Sequence, residues 1–394
     1  MRIASIHIPS FPLQAAIQSG SEQRRLANAP VAVLHASAPV VTACSRAAWA
    51  LGVRPGMAAS VARAHAPELI VKVRSPAREA ELVRAVADRL LALSPHIDLG
   101  GPITGLHHAM YVEVPAGRRG AAFGAKLVEA CREFDLHVRV GIADDRFTAT
   151  VAATAPNTPP LRGPGGDADG AVTCVPRGGS AAFLAPLPLA LLNLAPEVQH
   201  MLESLGVATL GAFAALPPPS VARDWDGDLQ ALARGDGGAR IDLYQPAPSW
   251  RERVAVEGTI GLALQELANR IAVRLFGRGG QRARIAVAPV GGAAVEVVVD
   301  GPITADELGD RLARAVGTPT TAALDAVIAV GDEPVASTPA DAAAPAAEAK
   351  APAAPLLLTP VPSILGERPE HRRTRRGKHR PRIAHGQARL FASE

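Results

Sequence analysis

Three kinds of side chain in this 394-residue sequence have types and spacings suited to chemistry. The first is imidazole: His7 stands alone near the start, and His107-His108 form an adjacent pair. The second is carboxylate, in the doublet Asp144-Asp145. The third is guanidinium, in the run "RRTRRGKHRPR" (Arg372, Arg373, Arg375, Arg376, Lys378, Arg380, Arg382), with "QARLF", Gln387 to Phe391, shortly behind it.

Imidazoles are ligands for transition metals. The stretch "AMYVEV" after the paired histidines reads as strand, and adjacent residues of a strand face opposite sides. His107 and His108 therefore do not close on one ion from one side, and packing is expected of both. The same holds for His7, Pro9 and Ser10 at the tip of "SIHIPSF". Asp144-Asp145 fall at a strand-to-helix turn, where acids near a helix N-terminus are favoured, so capping is expected of them. "GPGGDADG" lacks the Lys-Ser/Thr ending and the strand context of a phosphate loop and reads as turns. Cys44, Cys131 and Cys174 are too few and too scattered for a disulfide framework or a zinc site. No metal and no cofactor are expected.

The elements that position these residues alternate over 1–160. "IASIHI" and "APVAVLHA" read as strands, "TACSRAAWALGV" as a helix ending near Gly52, and "SVARAHAPEL" and "REAELVRAVADRLLALS" as helices. "AMYVEV" and "HVRVGIA" return to strand, and "FTATVAATA" to helix. Residues 160–180 are a Gly/Pro/Asp-rich turn region, and a compact helical unit follows it. Residues 250–332 then run strand, helix, strand, strand, helix, strand, the split βαβ order of a ferredoxin-like unit. "PVASTPADAAAPAAEAKAPAAP" is a Pro/Ala linker with too little apolar surface to fold. Trp49 and Trp225 read as core residues.

Composition bounds the class. At 48% hydrophobic and 20% charged residues this is a globular chain with room for two or three domains. Aromatics at 3% leave the cores to Ala, Val and Leu. No stretch approaches the ~20 uninterrupted apolar residues of a membrane span, and no signal peptide is evident. A cytoplasmic, nucleoid-associated setting without membrane partners is expected. The whole chain carries +4, but from Leu358 onward nine Lys/Arg face three acids, so the first 357 residues sit at −2. The basic character belongs to the tail, where Arg and Lys clusters bind phosphates without sequence choice.

The order of the pieces resembles the Y-family DNA polymerases, the error-tolerant translesion enzymes. The resemblance rests on "APVAVLHASAPVVTACSRAAWALGVRPGMAASVARAHAPELIVKV", with its turn Gly52-Val53-Arg54-Pro55-Gly56-Met57, on "VRVGIADDRFTATVAATA", on "LESLGVATLGAFAALP" and on 250–332. It implies an α+β multidomain fold. Its parts would be a palm (1–30 and 76–180, an antiparallel sheet with helices), fingers (31–75), a helical, helix-hairpin-helix-like thumb (181–245) and a ferredoxin-like little finger (246–333). A linker (334–357) and a disordered basic tail (358–394) would follow. The thumb hairpin reads Leu194-Ala195-Pro196-Glu197 rather than Gly-x-Gly, which weakens backbone gripping there.

The family holds two Mg²⁺ ions on carboxylates at the end of its first palm strand and on an Asp-Glu pair of a later strand. The resemblance places His7 and Pro9 at the first positions, His107 and His108 at the second, and Phe11 on the family's aromatic. The fingers' Tyr and Arg for the triphosphate become Arg46 and Trp49, and two basic positions near the "VGI" strand become Asp144 and Thr150. Neutral imidazoles replace Mg²⁺ carboxylates poorly. The substitutions together resemble the inactive ImuB-type branch of the family. That branch implies a non-catalytic adaptor in translesion synthesis and damage-induced mutagenesis. It would bind DNA and the sliding clamp (beta subunit) and bring in a mutagenic replicative-type polymerase with an ImuA-like protein. Gln387, Leu390 and Phe391 match the bacterial clamp-binding pentapeptide, in which two apolar anchors fill a pocket. ImuB-type proteins carry a further region after that motif, whereas three residues follow Phe391 here. Two other readings stay open: an active error-prone Y-family polymerase with relocated metal ligands, and a general DNA-binding repair protein.

Overall fold

A computed structural model describes residues 1–17, 25–26, 28–103, 106–154, 171–217, 227–238, 240–256, 258–317, 319 and 321–331. All lie within the compact unit Met1–Pro360. Trp225, the linker, the basic run and the Gln387–Phe391 segment lie outside the described residues.

Five strands form the first sheet: β1 (Ile3–Ile8), β5 (Ile97–Ile103), β6 (His107–Glu113), β7 (Arg139–Ala143) and β8 (Val172–Cys174), in the order β5-β6-β1-β7-β8. β1 is central and antiparallel to both β6 and β7, while β8 runs parallel to β7. All six residues of β1 are buried, so both of its faces are covered. Ala4, Ile6 and Ile8 face a core that also holds Phe11 of α1 (Phe11–Ala16), Leu82, Val86 and Leu90 of α4 (Pro76–Leu90) and Leu127 of α5 (Gly120–Arg132). On the other side α6 (Arg146–Thr154) lies over β1 and β7. The approach is close because β7 has glycine at 141, where an added Cβ would come 2.1 Å from the Ala149 carbonyl oxygen.

A three-stranded sheet, β3-β2-β4, joins β2 (Val31–Leu34), β3 (Val41–Cys44) and β4 (Ile70–Val73), with β2 parallel to β4. Two short helices, α2 (Arg46–Ala50) and α3 (Ala59–His65), close its small core of Ala32, Val41, Ala48, Val53 and Ala62. The segment "TACSRAAWALGV" is thus not one helix. Val41 and Ala43 bury alternate positions of a strand. The Ser45 hydroxyl then starts the helix, accepting from Ala48 N–H (3.3 Å) and Val31 N–H (3.0 Å) and donating to Ala29 O (2.9 Å). A small helical unit follows β8: α7 (Ser180–Leu184), a 3₁₀ turn at Leu189–Leu192, α8 (Pro196–Ser204), α9 (Leu210–Ala214) and α10 (Gly227–Arg234).

The remaining elements are β9 (Ser249–Ala255), α11 (Ile260–Gly277), β10 (Ala283–Pro289), β11 (Val295–Val299), α12 (Ala305–Val316) and β12 (Ala323–Val330). Their sheet order is β11-β10-β12-β9, all neighbours antiparallel. Each helix joins two strands with one strand inserted between them, as the sequence order leads one to expect. The turn region assigned to 160–180 yields instead the edge strand β8, since Val172 and Cys174 pair with Val140 and Ile142. β5 is a strand the apolar pattern alone does not show: its middle is Gly100-Gly101, where the register with β6 shifts.

Candidate functional site

The histidines meet at one end of the five-stranded sheet. Register pairs His7 with Ala109 and Ile8 with His108, so His7 and His107 share one face and His108 takes the other. The His7 and His107 rings lie 5.0 Å apart, and the His108 ring tilts against Phe11 at 5.2 Å. His107 Nδ1 accepts from the Ser10 N–H (3.1 Å), and His108 Nε2 donates to Leu99 O (2.8 Å). Ser10 holds a left-handed backbone (φ 47°) at the turn into α1, and Phe11 N–H donates to Leu106 O (2.7 Å). These bonds fix the tip of β1 against the start of β6.

Electrostatics at the pair are those of neutral rings in a cationic setting. His7 is buried, and burial pushes it down to about 3, with His107 and Arg139 acting in the same direction. Burial also lowers His107 and His108. Mg²⁺ takes oxygen ligands, chiefly carboxylates. The groups acting on His7 are another imidazole and a guanidinium, so the residues at this position do not fit two-metal chemistry. Glu79 and Asp98 act on His108, on the opposite face. Both are already engaged. Glu79 takes two bonds from Arg74 (2.7 and 2.8 Å), and Asp98 accepts from Arg146 (2.7 Å), Gly100 N–H (2.7 Å) and Asp242 N–H (3.2 Å). A cavity of about 270 Å³ opens beside them, lined by Phe11, Val83, Leu99, His108 and the Arg74–Glu79 pair among others. Among the described residues, no group of three or more His, Cys, Asp or Glu is arranged to hold a metal ion.

The other sequence-selected residues do not converge on this point. Asp145 caps α6, its Oδ1 accepting from Thr148 N–H (2.7 Å). Asp144 does not cap. It faces Arg2 (3.3 Å) and accepts from Gly178 N–H (2.6 Å), tying the end of β7 to the segment after β8. Thr150 is buried, with Oγ1 donating to Arg146 O (2.8 Å) beside Tyr111 Oη (3.1 Å). Arg46 is exposed on α2. Trp49, expected in the core, is instead 51% exposed; the neighbouring Ala48 is the residue of α2 that enters the core.

One cluster escaped sequence reasoning. Arg274 of α11 is 1% exposed and Asp88 of α4 is wholly buried. Arg274 donates to Asp88 (2.9 Å), Glu81 (2.6 Å) and Glu252 (2.8 Å). Asp88 also accepts from Arg278 (2.8 Å) and Tyr244 Oη (2.9 Å). Trp250 lies under both guanidinium groups, at 4.5 and 4.4 Å. An arginine on the apolar Leu267–Ile271 face of a helix was the available signal. Its partners, 22, 186 and 193 residues away, carried none.

Comparison with known proteins bears on the histidine region directly. The model of the family described as "IMS: impB/mucB/samB family" matches residues 6–154. The matched stretch contains His7, the His107-His108 pair, the three-stranded unit and α6, and over it the chain is similar to that family, as the likeness to Y-family, ImuB-type proteins leads one to expect. "Protein ImuB" of Caulobacter vibrioides (strain NA1000 / CB15N) is 28% identical over 286 residues, covering 68% of this chain. The chain spans only 57% of the length of that relative. "DNA polymerase IV" of Dehalococcoides mccartyi (strain ATCC BAA-2100 / JCM 16839 / KCTC 5957 / BAV1) is 28% identical over 216 residues, 53% of this chain and 48% of the relative. Among solved structures, the insertion ternary complex of Dbh DNA polymerase matches with a TM-score of 0.48 at 12% identity, covering 84% of this chain and 99% of that one. DinB from Sulfolobus solfataricus matches with 0.47 at 14% identity, covering 84% of this chain and 99% of that one. No helix among the described residues is long and apolar enough to cross a membrane.

Proposed function

We propose that this chain is a non-catalytic Y-family polymerase homologue that works as an adaptor in translesion synthesis. The observation that carries the reading is the His7–His107 pair: imidazoles held neutral by burial, one of them, His7, buried beside Arg139, stand at positions where the resemblance calls for metal-holding carboxylates. Residues 1–30 and 76–180 serve as palm, 31–75 as fingers, 181–245 as thumb and 246–333 as little finger. The body sits on DNA, the run Arg372–Arg382 holds phosphates, and Gln387, Leu390 and Phe391 dock on the sliding clamp. A mutagenic polymerase and an ImuA-like protein are the recruited partners. The linker sets the effective concentration of the clamp motif relative to the body.

The name of the Caulobacter relative supports this reading, and that of the Dehalococcoides relative supports the alternative, an active polymerase with relocated ligands. Primer extension separates them. The adaptor reading expects no template-directed incorporation with Mg²⁺ or Mn²⁺, together with clamp binding that is lost in Phe391→Ala. Asp145 Oδ1 caps α6 and Asp144 is paired with Arg2, which supports the adaptor reading.

A further inference from the structure

The surface of the three-stranded unit carries a feature that the adaptor reading does not use. Trp49 projects from α2 at 51% exposure, and the Arg54 guanidinium is stacked on its ring at 4.1 Å. Arg54 does not drift there. Its Nη1 donates to Trp49 O (2.6 Å) and to Val53 O (2.9 Å), so the cation is held on the ring by the turn that follows the helix. Arg46 is exposed three residues before Trp49, and residues three apart are neighbours on a helix surface. Leu51, exposed at 41%, extends the apolar area. Over residues 31–75, setting aside Arg74, which is paired with Glu79, there are four Lys/Arg (Arg46, Arg54, Arg63, Lys72) against the single acid Glu68. An indole pinned on one side by a guanidinium and set in a cationic unit complements a ligand that is anionic and has a flat π-face.

We propose that Trp49 is a stacking platform for an unpaired base of single-stranded DNA, with Arg46 and Arg54 at its flanking phosphates. This rests on the DNA-binding part of the reading above and specifies where the strand is touched. Stacking of a base on an aromatic side chain is worth about 1–3 kcal/mol, or about 5- to 150-fold in affinity, and tolerates any base. Held Arg–Trp geometry lowers the ordering cost of that contact.

The test is titration of the full chain with an oligothymidylate and with an abasic oligomer of equal length and charge, in wild type, Trp49→Ala and Trp49→Phe. The proposal expects the wild type to prefer oligothymidylate by about 5-fold or more. It expects Trp49→Ala to lose that preference while keeping its affinity for the abasic strand, and Trp49→Phe to restore most of it. Oligothymidylate binding undiminished in Trp49→Ala overturns the platform alone. Failure of the wild type to bind either strand overturns the DNA-binding reading itself. Because Trp49 lies outside the core, the circular dichroism of Trp49→Ala serves as the control for folding.

Discussion

Replacing Arg274 by Met tests the physical heart of this fold, the seam between α4 and α11. Arg274 is 1% exposed and holds three carboxylates, one of them, Asp88, fully buried. Removing one partner of a buried ion pair costs about 3–5 kcal/mol, because the other charge stays behind in low dielectric. Asp88 keeps Arg278 and Tyr244 in the variant, which places the expected loss near the lower end, about 3 kcal/mol. Glu252, already pushed up by burial, loses the cation that opposes that shift and takes a proton more readily. Urea unfolding followed by circular dichroism at pH 7.5 reads the loss as a lower midpoint. Because the seam joins the five-stranded and four-stranded units, the single transition should also broaden or split. Asp88→Asn should cost a similar amount, and the double variant less than the sum of the two. A loss below about 1 kcal/mol with one sharp transition would show that the cluster is solvated and that the seam is held by apolar packing alone.

Four further outcomes are expected. Gly277→Ala should destabilise by at least about 1–3 kcal/mol, since its Cβ would fall 1.8 Å from the Asp88 carbonyl oxygen at the helix crossing; a neutral effect in thermal melts would mean the helices slide apart freely. Stability should fall as pH drops through the window from about 6.5 to about 3, because His7 is neutral when folded and protonates first when unfolded; between pH 6.5 and 5 it alone contributes about 1.6 kcal/mol. A His7→Leu variant should flatten that part of the profile in urea titrations, and an unchanged slope would remove His7 as its cause. Ser45→Ala should cost about 1–2 kcal/mol through the lost helix cap and two strand-end bonds, readable in the same unfolding assay. Phe391→Ala should abolish capture of the chain by immobilised sliding clamp, and retained capture would take the tail motif out of the account.

Much of this architecture was legible. The Ile3–Ile8 strand, the helix over 76–90 and the strand-helix-strand-strand-helix-strand order of 249–330 announce themselves through apolar periodicity. The rest was hidden for physical reasons. The stretch Val41–Ala50 has the small-residue composition of a helix, but Ser45 bonds at once to Val31 N–H and Ala29 O, so tertiary contacts make its first half a strand. β5 was missed because glycines interrupt it, and β8 because it is three residues long at the sheet edge. Asp144 and Asp145 look alike in sequence, and only the packing of Arg2 against one of them separates their roles. Trp49 differs from expectation because indoles are usually buried, whereas here Ala48 fills the core side of α2 and Arg54 covers the indole. At the histidine region the sequence supplied the residue types, and the register supplied the fact that matters, the pairing of His7 with His107 on one face.

On the adaptor reading, this body keeps the palm sheet without its metal chemistry. Primer extension by the purified full chain on an undamaged and a lesion-bearing template, with Mg²⁺ and with Mn²⁺, tests it most directly. On that reading, no template-directed incorporation above the no-enzyme background is expected on either template with either ion. Incorporation that persists in the His7→Leu variant and scales with enzyme concentration would contradict it, and would mean that ligands elsewhere in the chain hold the catalytic ions.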